Sequence, residues 1–352
     1  MSTAPESPPL EEVDAREAPL RDSGRDPDRD PDLRDSDPPS SQATPFTWKT
    51  NLVLFLATLL SVFYTGVLYA NARPESGGLV PWLRALPQGW TFAVPLLGIL
   101  LFHEFGHYFA ARYHRVDASL PYFLPVPYIS PFGTMGAVIS MRGRIKSRSA
   151  LLDIGASGPL AGLVVAIPVL ALGLSQSPFI FIGDEAHGSL EGQSLLYIAM
   201  KRVVLGPIPE GYDVLLSPVA FAGWTGLFVT ALNLIPIGQL DGGHIAYALF
   251  GPKQNRYARA LHWGLLGMFA YNLAVFMIPV VQRRAWSEVD QAIMNSLCWL
   301  VWFVLLRALR RVSGRDHPPT EPGELSTWRK GIAVLSLALF VLLFMPTPWT
   351  TY

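Results

Sequence analysis

The chain has 352 residues, of which half are apolar, 15% are charged and 12% are aromatic, and its formal net charge is zero. A chain without a basic excess argues against nucleic acid as the main partner. The single cysteine, Cys298, excludes an intrachain disulfide and a cysteine-cluster metal site.

Residues 1–45 differ in composition from everything that follows. They hold 12 of the 27 acidic residues and 5 of the 27 basic residues, are rich in Pro and Asp, and are almost free of large apolar side chains. Such a segment cannot bury enough apolar surface to fold, so it is predicted to be a disordered, acidic and Pro-rich cytoplasmic tail. A secretory signal or a transit peptide does not fit, because the segment lacks an early apolar stretch and is rich in acidic residues.

The rest of the chain is predicted to be a membrane-embedded domain, residues 46–346, followed by a short C-terminal end, residues 347–352. Several uncharged stretches reach about 18 apolar residues, the length that a helix needs to cross the hydrocarbon layer. The expected fold class is an all-α polytopic membrane protein with about six to seven transmembrane helices and a core over residues 88–250. The predicted spans lie near residues 47–70, 88–112, 148–174, 213–236, 257–281, 291–309 and 329–346.

The distribution of Lys and Arg predicts the orientation of these spans. Connections on the side of the N-terminus hold 21 of these residues, and connections on the other side hold 6. The positive-inside rule places the N-terminus in the cytoplasm, and seven spans leave Tyr352 on the opposite side. If the most marginal predicted span, 329–346, does not cross the membrane, the C-terminus lies in the cytoplasm. The expected location is a bacterial cytoplasmic membrane, with the active-site opening on the cytoplasmic side.

The second predicted span contains His103-Glu104-Phe105-Gly106-His107, an ionisable cluster at membrane depth. Ionisable residues inside a span mark functional sites. On a helix His103 and His107 share one face, so both imidazoles can bind one Zn²⁺ ion, and Glu104 beside them can act as general base on a water molecule. The pattern predicts a zinc hydrolase. The alternative is a set of interhelical hydrogen bonds without a metal.

Two histidines leave one protein ligand of a catalytic zinc site to be found. Asp241 is the candidate, in the segment Asn-Leu-Ile-Pro-Ile-Gly-Gln-Leu-Asp-Gly-Gly-His at 233–244, because spans two and four both run toward the cytoplasm and bring it near His107. The alternatives are that Asp241 is a helix-end carboxylate or that His244 is the ligand. Asn233 is a candidate to stabilise an oxyanion through its amide, and the alternative is a buried interhelical Asn.

These two signatures together resemble the site-2 protease family of intramembrane zinc metalloproteases over roughly residues 90–250. The stretches Leu-Pro-Tyr-Phe-Leu-Pro-Val-Pro at 120–127, Ser-Gly-Pro-Leu-Ala-Gly at 157–162 and the segment at 233–244 look closest to one branch of that family. This is the cyanobacterial and plant plastid branch, the ethylene-dependent gravitropism-deficient, yellow-green-like proteases.

The resemblance implies a set of roles for the residues found above. His103, His107 and Asp241 would bind one Zn²⁺ ion per chain. Glu104 would be the catalytic base, and Asn233 would contact the substrate or the transition state. The resemblance also implies membrane-anchored protein substrates of the transcription regulator or anti-sigma factor type.

The connection over residues 113–147 is dense in Pro and Gly yet apolar, which is unusual for a loop. Residues 135–141 are predicted to form a short strand beside the active site, in a candidate β-hairpin whose edge can pair with an unwound substrate. The alternative is an interfacial loop that only seals the bundle. Small residues at 157–162 are predicted to allow close helix packing. The connection over 175–212 is too short for an inserted PDZ domain, so none is expected.

We therefore expect a zinc metalloendopeptidase that hydrolyses a peptide bond within or next to a transmembrane segment of another protein, in regulated intramembrane proteolysis. Its surroundings are the lipid bilayer, and no nucleic acid partner is expected. The alternative is a membrane transporter or a metal-binding membrane protein that uses the same His, Glu and Asp cluster without proteolysis. The histidines predicted to be non-catalytic are His114, His187, His262 and His317.

Overall fold

The structure is a computed structural model that describes residues 48–76, 78–142, 145, 147–181, 189–313, 317–321 and 323–351. The predicted tail, residues 1–45, lies outside the described residues. The described part is mostly helical, which confirms the predicted all-α class. Its α-helices are α1 (Trp48–Tyr69), α2 (Leu79–Ala85), α3 (Trp90–Tyr113), α4 (Arg148–Ser175), α5 (Leu195–Leu205), α6 (Pro218–Asn233), α7 (Asp241–Phe250), α8 (Gln254–Arg283), α9 (Val289–Ser313) and α10 (Thr327–Leu343).

Short strands lie in the connections between these helices and pair two by two in the described residues. The strands are β1 (Asp117–Ala118), β2 (Tyr122–Pro125), β3 (Thr134–Val138), β4 (Met141–Arg142), β5 (Phe179–Phe181), β6 (Ser189–Glu191), β7 (Tyr212–Val214) and β8 (Trp349–Thr351). The antiparallel pairs are β1 with β4, β2 with β3, β5 with β7, and β6 with β8. Short 3-10 helices at Leu86–Gly89, Gly251–Lys253 and Trp286–Glu288 precede α3, α8 and α9.

Serine side chains mark the start of several helices. Ser147, Ser194, Ser217 and Ser326 each accept a hydrogen bond from the backbone N–H three residues further on. This satisfies one of the N–H groups that a helix leaves without a partner at its N-terminus. In α6 the cap is followed by Pro218, whose fixed φ suits the first helical position.

Five helical segments of the described chain are long and apolar enough to cross a membrane. They are Trp48–Tyr69, Leu79–Tyr113, Arg148–Ser175, Asp241–Arg283 and Trp286–Arg311. The other two predicted spans, 213–236 and 329–346, contain helices of only 16 and 17 residues. At 1.5 Å per residue these helices are about 24–26 Å long, shorter than the hydrocarbon layer.

The short helix α6 is the first half of a broken element that follows α4 along its length. Near the end of α4, Ser217 at the start of α6 donates a hydrogen bond from Oγ to the carbonyl of Gly173, at 2.8 Å. Near the start of α4, Arg148 donates from Nη2 to the carbonyl of Ala248 in α7, at 2.6 Å. The helix predicted over 213–236 is therefore too long, because the chain breaks between α6 and α7.

The break lies in the turn at residues 234–240. Pro236 has no N–H group and cannot continue the hydrogen-bond ladder of α6. Non-helical backbone at membrane depth is tolerated where protein encloses it or where it lines a wet cavity. The side chains of Leu234, Ile235 and Ile237 are buried, so the turn is enclosed by protein.

α10 extends alongside α4 from one end of the bundle to the other. At its start, Arg329 donates from Nη2 to Oδ2 of Asp153 in the second turn of α4, at 2.7 Å. After its end, β8 pairs with β6, which belongs to the connection between α4 and α6. The C-terminal strand thus lies at the end of the bundle where α4 finishes.

The Pro- and Gly-rich connection forms the predicted β-hairpin from β2 and β3, with Tyr122 opposite Val138. The strand predicted over 135–141 is interrupted, because Ile139 and Ser140 separate β3 from β4. Next to β2, Asn51 of α1 donates its amide hydrogens to the carbonyls at 120 and 121, at 2.7 and 3.0 Å. The hairpin is therefore anchored to α1 from the β2 side.

Candidate metal centre

The two histidines of the His-Glu-x-x-His pattern lie in the C-terminal half of α3. The apolar residues that precede them keep this helix inside the membrane domain. His103 and Glu104 are almost fully buried, with exposed fractions of 3% and 5%. The imidazole ring centroids of His103 and His107 are 4.9 Å apart, as expected for side chains four residues apart on one helix face.

Asp241 is brought to these histidines because it is the first residue of α7, immediately after the turn between the half-helices. Gly242 follows it, and a Cβ atom at that position would overlap the carbonyl oxygen of Leu234. The glycine thus permits α7 to begin in contact with the turn. The Asp-Gly sequence places a carboxylate at membrane depth without filling the space that the turn needs.

The three predicted ligands meet in one small triangle. The Nε2 atoms of His103 and His107 are 3.2 Å apart, and each lies 3.3 Å from Oδ2 of Asp241. Two ligand atoms at about 2.0–2.1 Å from a tetrahedral zinc ion are roughly 3.3–3.4 Å from each other. The size of the triangle therefore fits one zinc ion with three protein ligands.

Hydrogen bonding around His107 indicates that this triangle needs a cation. Nδ1 of His107 lies 2.7 Å from the carbonyl oxygen of Ile154, so Nδ1 carries the hydrogen and donates it. In the neutral ring Nε2 then presents a lone pair toward the carboxylate of Asp241. Lone pairs at such distances repel one another unless a proton or a metal ion lies between them. A backbone carbonyl that orients a ligating histidine is a common feature of metal sites.

Helix α4 leaves room for both imidazoles because it presents glycine to them. A Cβ atom at Gly158 would overlap Nε2 of His107, and a Cβ atom at Gly162 would lie 3.2 Å from Nδ1 of His103. The prediction that the small residues at 157–162 allow close helix packing is confirmed. The same glycines leave the space in which the rings of His103 and His107 lie.

Glu104 lines the same cavity as the three ligands, which has a volume of about 170 Å³. In the described part of the chain, no side chain forms a hydrogen bond or an ion pair with its carboxylate. A buried carboxylate that faces a cavity shared with a metal site is suitably placed to accept a proton from a water molecule. The geometry agrees with the predicted role of Glu104 as base and not as ligand.

Asn233 ends α6 at the edge of this triangle. Its Nδ2 atom lies 3.2 Å from Nε2 of His103, and its side chain lines the cavity. The amide is therefore close enough to the metal centre to contact a group that reacts there. The structure brings it together with the other four predicted site residues, and its chemical role stays a prediction.

His244, the rival third ligand, also lines the cavity but has a different partner. Its Nδ1 lies 2.8 Å from Nε2 of His317, and Nδ1 of His317 lies 2.8 Å from the carbonyl of Pro318. His317 therefore donates from Nδ1 and accepts at Nε2, so Nδ1 of His244 is the donor. Burial lowers the pKa of His317 below its usual range, which keeps this ring neutral. The segment before α10 is thereby connected to the wall of the cavity.

An ion-pair network near the start of α4 was not predicted as a connected group. Asp153 accepts hydrogen bonds from Arg329 of α10, at 2.7 Å from Nη2, and lies 2.8 Å from Nε2 of His114 at the end of α3. The three charged or polar groups link α3, α4 and α10 one residue before Ile154, whose carbonyl orients His107. The only sequence signal was an isolated Asp near the start of a span. His187 lies outside the described residues.

The hairpin forms one wall of the cavity. Ala137 and Val138 of β3, together with Ile139 and Met141, line it opposite the metal-ligand residues. The side chain of Val138 is half exposed, at 53%. The strand predicted to lie beside the active site does so.

Comparison with known protein families assigns the chain. A family model described as Peptidase family M50 matches residues 91–275, which is more than half of the chain and includes every residue of the candidate centre. The chain belongs to peptidase family M50. The predicted resemblance to site-2 proteases is therefore confirmed, and so is the prediction of a zinc metalloprotease at the level of the family.

Curated relatives of this M50 member include plant proteins. The "Probable zinc metalloprotease EGY2, chloroplastic" of Oryza sativa subsp. indica is 30% identical over 270 residues, which cover 76% of this chain and 45% of that protein. The "Probable zinc metalloprotease EGY1, chloroplastic" of Arabidopsis thaliana is 30% identical over 290 residues, which cover 78% of this chain and 45% of that protein. No solved structure matches the chain.

These relatives support the predicted branch of the family, because its name is the one that they carry in abbreviated form. Their names also contain zinc, which agrees with the predicted cofactor. The chain spans about half the length of the curated relatives it matches. Activity, substrates and partners of the whole protein are therefore matters for proposal.

Proposed function

We propose that this M50 peptidase hydrolyses a peptide bond within or next to a transmembrane segment of another protein, with one zinc ion held by His103, His107 and Asp241. The observation that carries the proposal is the triangle of ligand atoms with edges of 3.2, 3.3 and 3.3 Å. It lies on helices that are long enough to cross a membrane, and Glu104 faces the same cavity.

The chemistry requires a base, an electrophile and a contact to the developing negative charge. Zinc, when bound, polarises the scissile carbonyl and lowers the pKa of a water molecule to about 7. Glu104 removes a proton from this water and later delivers a proton to the leaving amine nitrogen. Asn233 donates an amide hydrogen to the carbonyl oxygen as negative charge develops there. Ile154 keeps His107 in the tautomer that offers Nε2 to the metal.

The substrate is held as a strand against the hairpin. A transmembrane helix has its carbonyls in hydrogen bonds, so it must unwind locally before water can attack. Ala137 and Val138 of β3, with Ile139 and Met141, line the same cavity as the ligands, so an unwound segment in this cavity can pair with the strand through its backbone. Substrates with Gly, Pro or Asn in the span are favoured because these residues weaken a helix.

Cleavage falls off-centre in the membrane. His107 lies five residues before Arg112, which begins a charged connection, so the centre is about 8 Å from that charged zone at 1.5 Å per residue. By the positive-inside rule, this is the cytoplasmic side of the membrane. The basic residues of the sequence support this orientation, whereas a bacterial membrane stays a proposal, because the curated relatives are named chloroplastic.

The proposed physiological role is regulated intramembrane proteolysis of membrane-anchored regulators. This extends the family resemblance to substrates of the transcription regulator or anti-sigma factor type. We also propose that no PDZ domain contributes to selection, because the stretch between α4 and α6 consists of short strands and α5 in its described residues. Selection then depends on how readily a substrate span unwinds.

The test is cleavage of a membrane-anchored reporter by the purified full-length chain in detergent, with both ends of each fragment identified by mass spectrometry. We expect cuts in the half of the reporter span that is nearer the basic connections, loss of cleavage after zinc removal, and recovery when zinc is returned. Fragments that end in the other half of the span would contradict the proposed position. Zinc-dependent ion flux into vesicles without any cleavage would instead identify a transporter.

A further inference from the structure

A basic cavity lies where the start of α8 meets the end of α9. Its volume is about 360 Å³. One wall comes from the first third of α8 and the other from the last two turns of α9. The lining residues are Arg259, His262, Trp263, Arg307, Arg310 and Arg311. Two helices that pack against each other thus bring four guanidinium groups to one place.

Three of the four arginines in this cavity have no carboxylate partner among the described residues. Among the residues that the structure describes, none with a carboxylate lies within ion-pair distance of Arg259, Arg307 or Arg311. All three side chains are exposed. The acidic residues of the α8–α9 hairpin, Glu288 and Asp290, lie at its opposite end. An anion in the cavity would be attracted by several cations at once.

A buried histidine supports a ligand at this position. His262 is 3% exposed and lines the cavity, and its Nδ1 has no hydrogen-bond partner in the described part of the protein. Its ring packs against Phe303 of α9 with a centroid distance of 4.5 Å. Buried polar atoms are almost always paired, so an unpaired one indicates a missing partner. A ligand in the cavity would lie beside this ring.

We propose that this cavity binds the phosphate-bearing headgroup of an anionic membrane lipid. Guanidinium groups match the geometry of phosphate oxygens and form paired, charge-assisted hydrogen bonds with them. Basic pockets between membrane helices are suited to such headgroups. Trp263, with 61% of its side chain exposed at the cavity, is of the residue type that lies at the level of the headgroups.

The surface beside the cavity favours a lipid over a soluble phosphate. Val301, Val304 and Leu305 lie within two turns before Arg307 of α9 and are 57%, 57% and 40% exposed. Leu261 of α8 is 40% exposed next to Arg259 and His262. An anionic lipid can place its headgroup in the cavity and its acyl chains on these apolar side chains.

The cavity adjoins the turn that precedes Asp241 and shares no lining residue with the metal centre. A Cβ atom at Gly238 would lie 3.8 Å from Cγ of Arg310. Gly238 has a φ of 59° and belongs to the turn that leads to Asp241. A bound headgroup would therefore lie beside the element that presents a proposed metal ligand, while binding itself can be measured without cleavage.

The experiment measures binding to the full-length protein in detergent by isothermal titration calorimetry. The probes are dihexanoyl phosphatidylglycerol, dihexanoyl phosphatidylcholine and inorganic phosphate. The test variant is Arg307→Gln with Arg311→Gln, and the control is Arg283→Gln with Arg284→Gln, which removes two charges at the other end of the hairpin. We expect phosphatidylglycerol to bind the wild type and the control equally, and the test variant roughly thirty-fold more weakly.

Three results would overturn the proposal. The first is equal binding of phosphatidylglycerol by the test variant and the wild type, and the second is equal binding of phosphatidylcholine and phosphatidylglycerol by the wild type. The third is that inorganic phosphate binds as tightly as phosphatidylglycerol. This result would identify a soluble phosphate as the ligand. If the double variant aggregates, Arg259→Gln on the other helix tests the same prediction, with an expected loss of roughly fivefold.

Discussion

Two regions of the membrane domain are built in opposite ways. In the most apolar 18-residue stretch of α4, 44% of the residues are buried, against 17% and 28% in the corresponding stretches of Asp241–Arg283 and Trp286–Arg311. The polar groups of the metal centre are enclosed by α3, α4, α6 and α7, whereas the arginines of the α8–α9 hairpin are mostly exposed. Groups that perform chemistry are fixed by protein neighbours, and groups on the hairpin face the surroundings of the protein.

Glycine shows the same contrast. Gly158 of α4 has no room for a Cβ atom because His107 occupies the space, whereas a Cβ atom at Gly264 or Gly267 of α8 would meet nothing within 4 Å. The same residue type therefore has a packing role in one region and none in the other. Substitutions that respect this difference separate the two regions experimentally.

The largest effect is expected at the third ligand. Asp241→Ala removes one of the three protein atoms that would hold the metal. Mutation of groups that only support a ligand weakens metal binding by about 10–100-fold. Loss of a ligand itself should therefore weaken zinc binding by more than about a hundredfold. Zinc content of the dialysed protein and cleavage of the reporter should both be lost.

His244→Ala is the matched comparison for this substitution. It removes a side chain of the same cavity whose Nδ1 already has His317 as partner, so most zinc and most cleavage should remain. If His244→Ala strips the metal and Asp241→Ala does not, the third ligand has been assigned to the wrong residue.

Gly158→Ala should disturb the metal centre without touching a ligand directly. The added methyl group overlaps His107, and overpacking of this kind costs about 1–3 kcal/mol, which corresponds to roughly five- to 150-fold in zinc affinity. Zinc affinity measured by competition with a chelator checks the effect. Gly264→Ala on the hairpin is the control and should bind zinc like the wild type. Equal affinity in the two variants would show that α4 does not fix the position of His107.

Val138→Pro tests the wall that faces the ligands. Proline removes the N–H of residue 138 and distorts the strand, so cleavage should fall about tenfold or more while zinc content stays normal. Val138→Ala keeps the backbone donor and should cleave at nearly the wild-type rate. Wild-type cleavage by Val138→Pro would mean that the hairpin only seals the bundle.

The smallest effect concerns the connection between α4 and α6. Burial raises the pKa of Glu191, whose Oε1 accepts a hydrogen bond from Tyr197 at 2.7 Å. The folded protein then binds this proton more tightly than the unfolded chain, so the stabilising contribution of Glu191 is present below about pH 4.5 and is lost as the pH rises through the raised value.

Thermal unfolding at several pH values measures this contribution. The melting temperature of the wild type relative to that of Glu191→Gln should fall as the pH rises above about 4.5. At any one pH, the variant should have the zinc content and the cleavage rate of the wild type. A difference that grows with rising pH would mean that Lys201, 3.8 Å away, stabilises the carboxylate more than burial destabilises it.

The sequence predicts those parts of the centre that depend on local spacing. Two histidines four residues apart must share a helix face, and prolines must interrupt the helical pattern where the hairpin forms. The carbonyl of Ile154 could not be predicted, because every residue has one and only the fold decides which carbonyl faces His107. The span predicted near 213–236 extends three to five residues beyond each end of α6, because apolar length does not show where a helix begins and stops. The basic cavity could not be predicted either, because Arg259 and Arg307 come close only when α8 and α9 pack against each other.

Zinc content and reporter cleavage, measured together on Glu104→Gln, test the central claim most directly. Glu104 is proposed as a base and not as a ligand, so the variant should keep about one zinc ion per chain and lose cleavage by at least about a hundredfold. Glu210→Gln, an exposed carboxylate in the α5–α6 connection, is the control and should match the wild type. Loss of zinc from Glu104→Gln, or cleavage at the wild-type rate, would contradict the assignment of the metal centre.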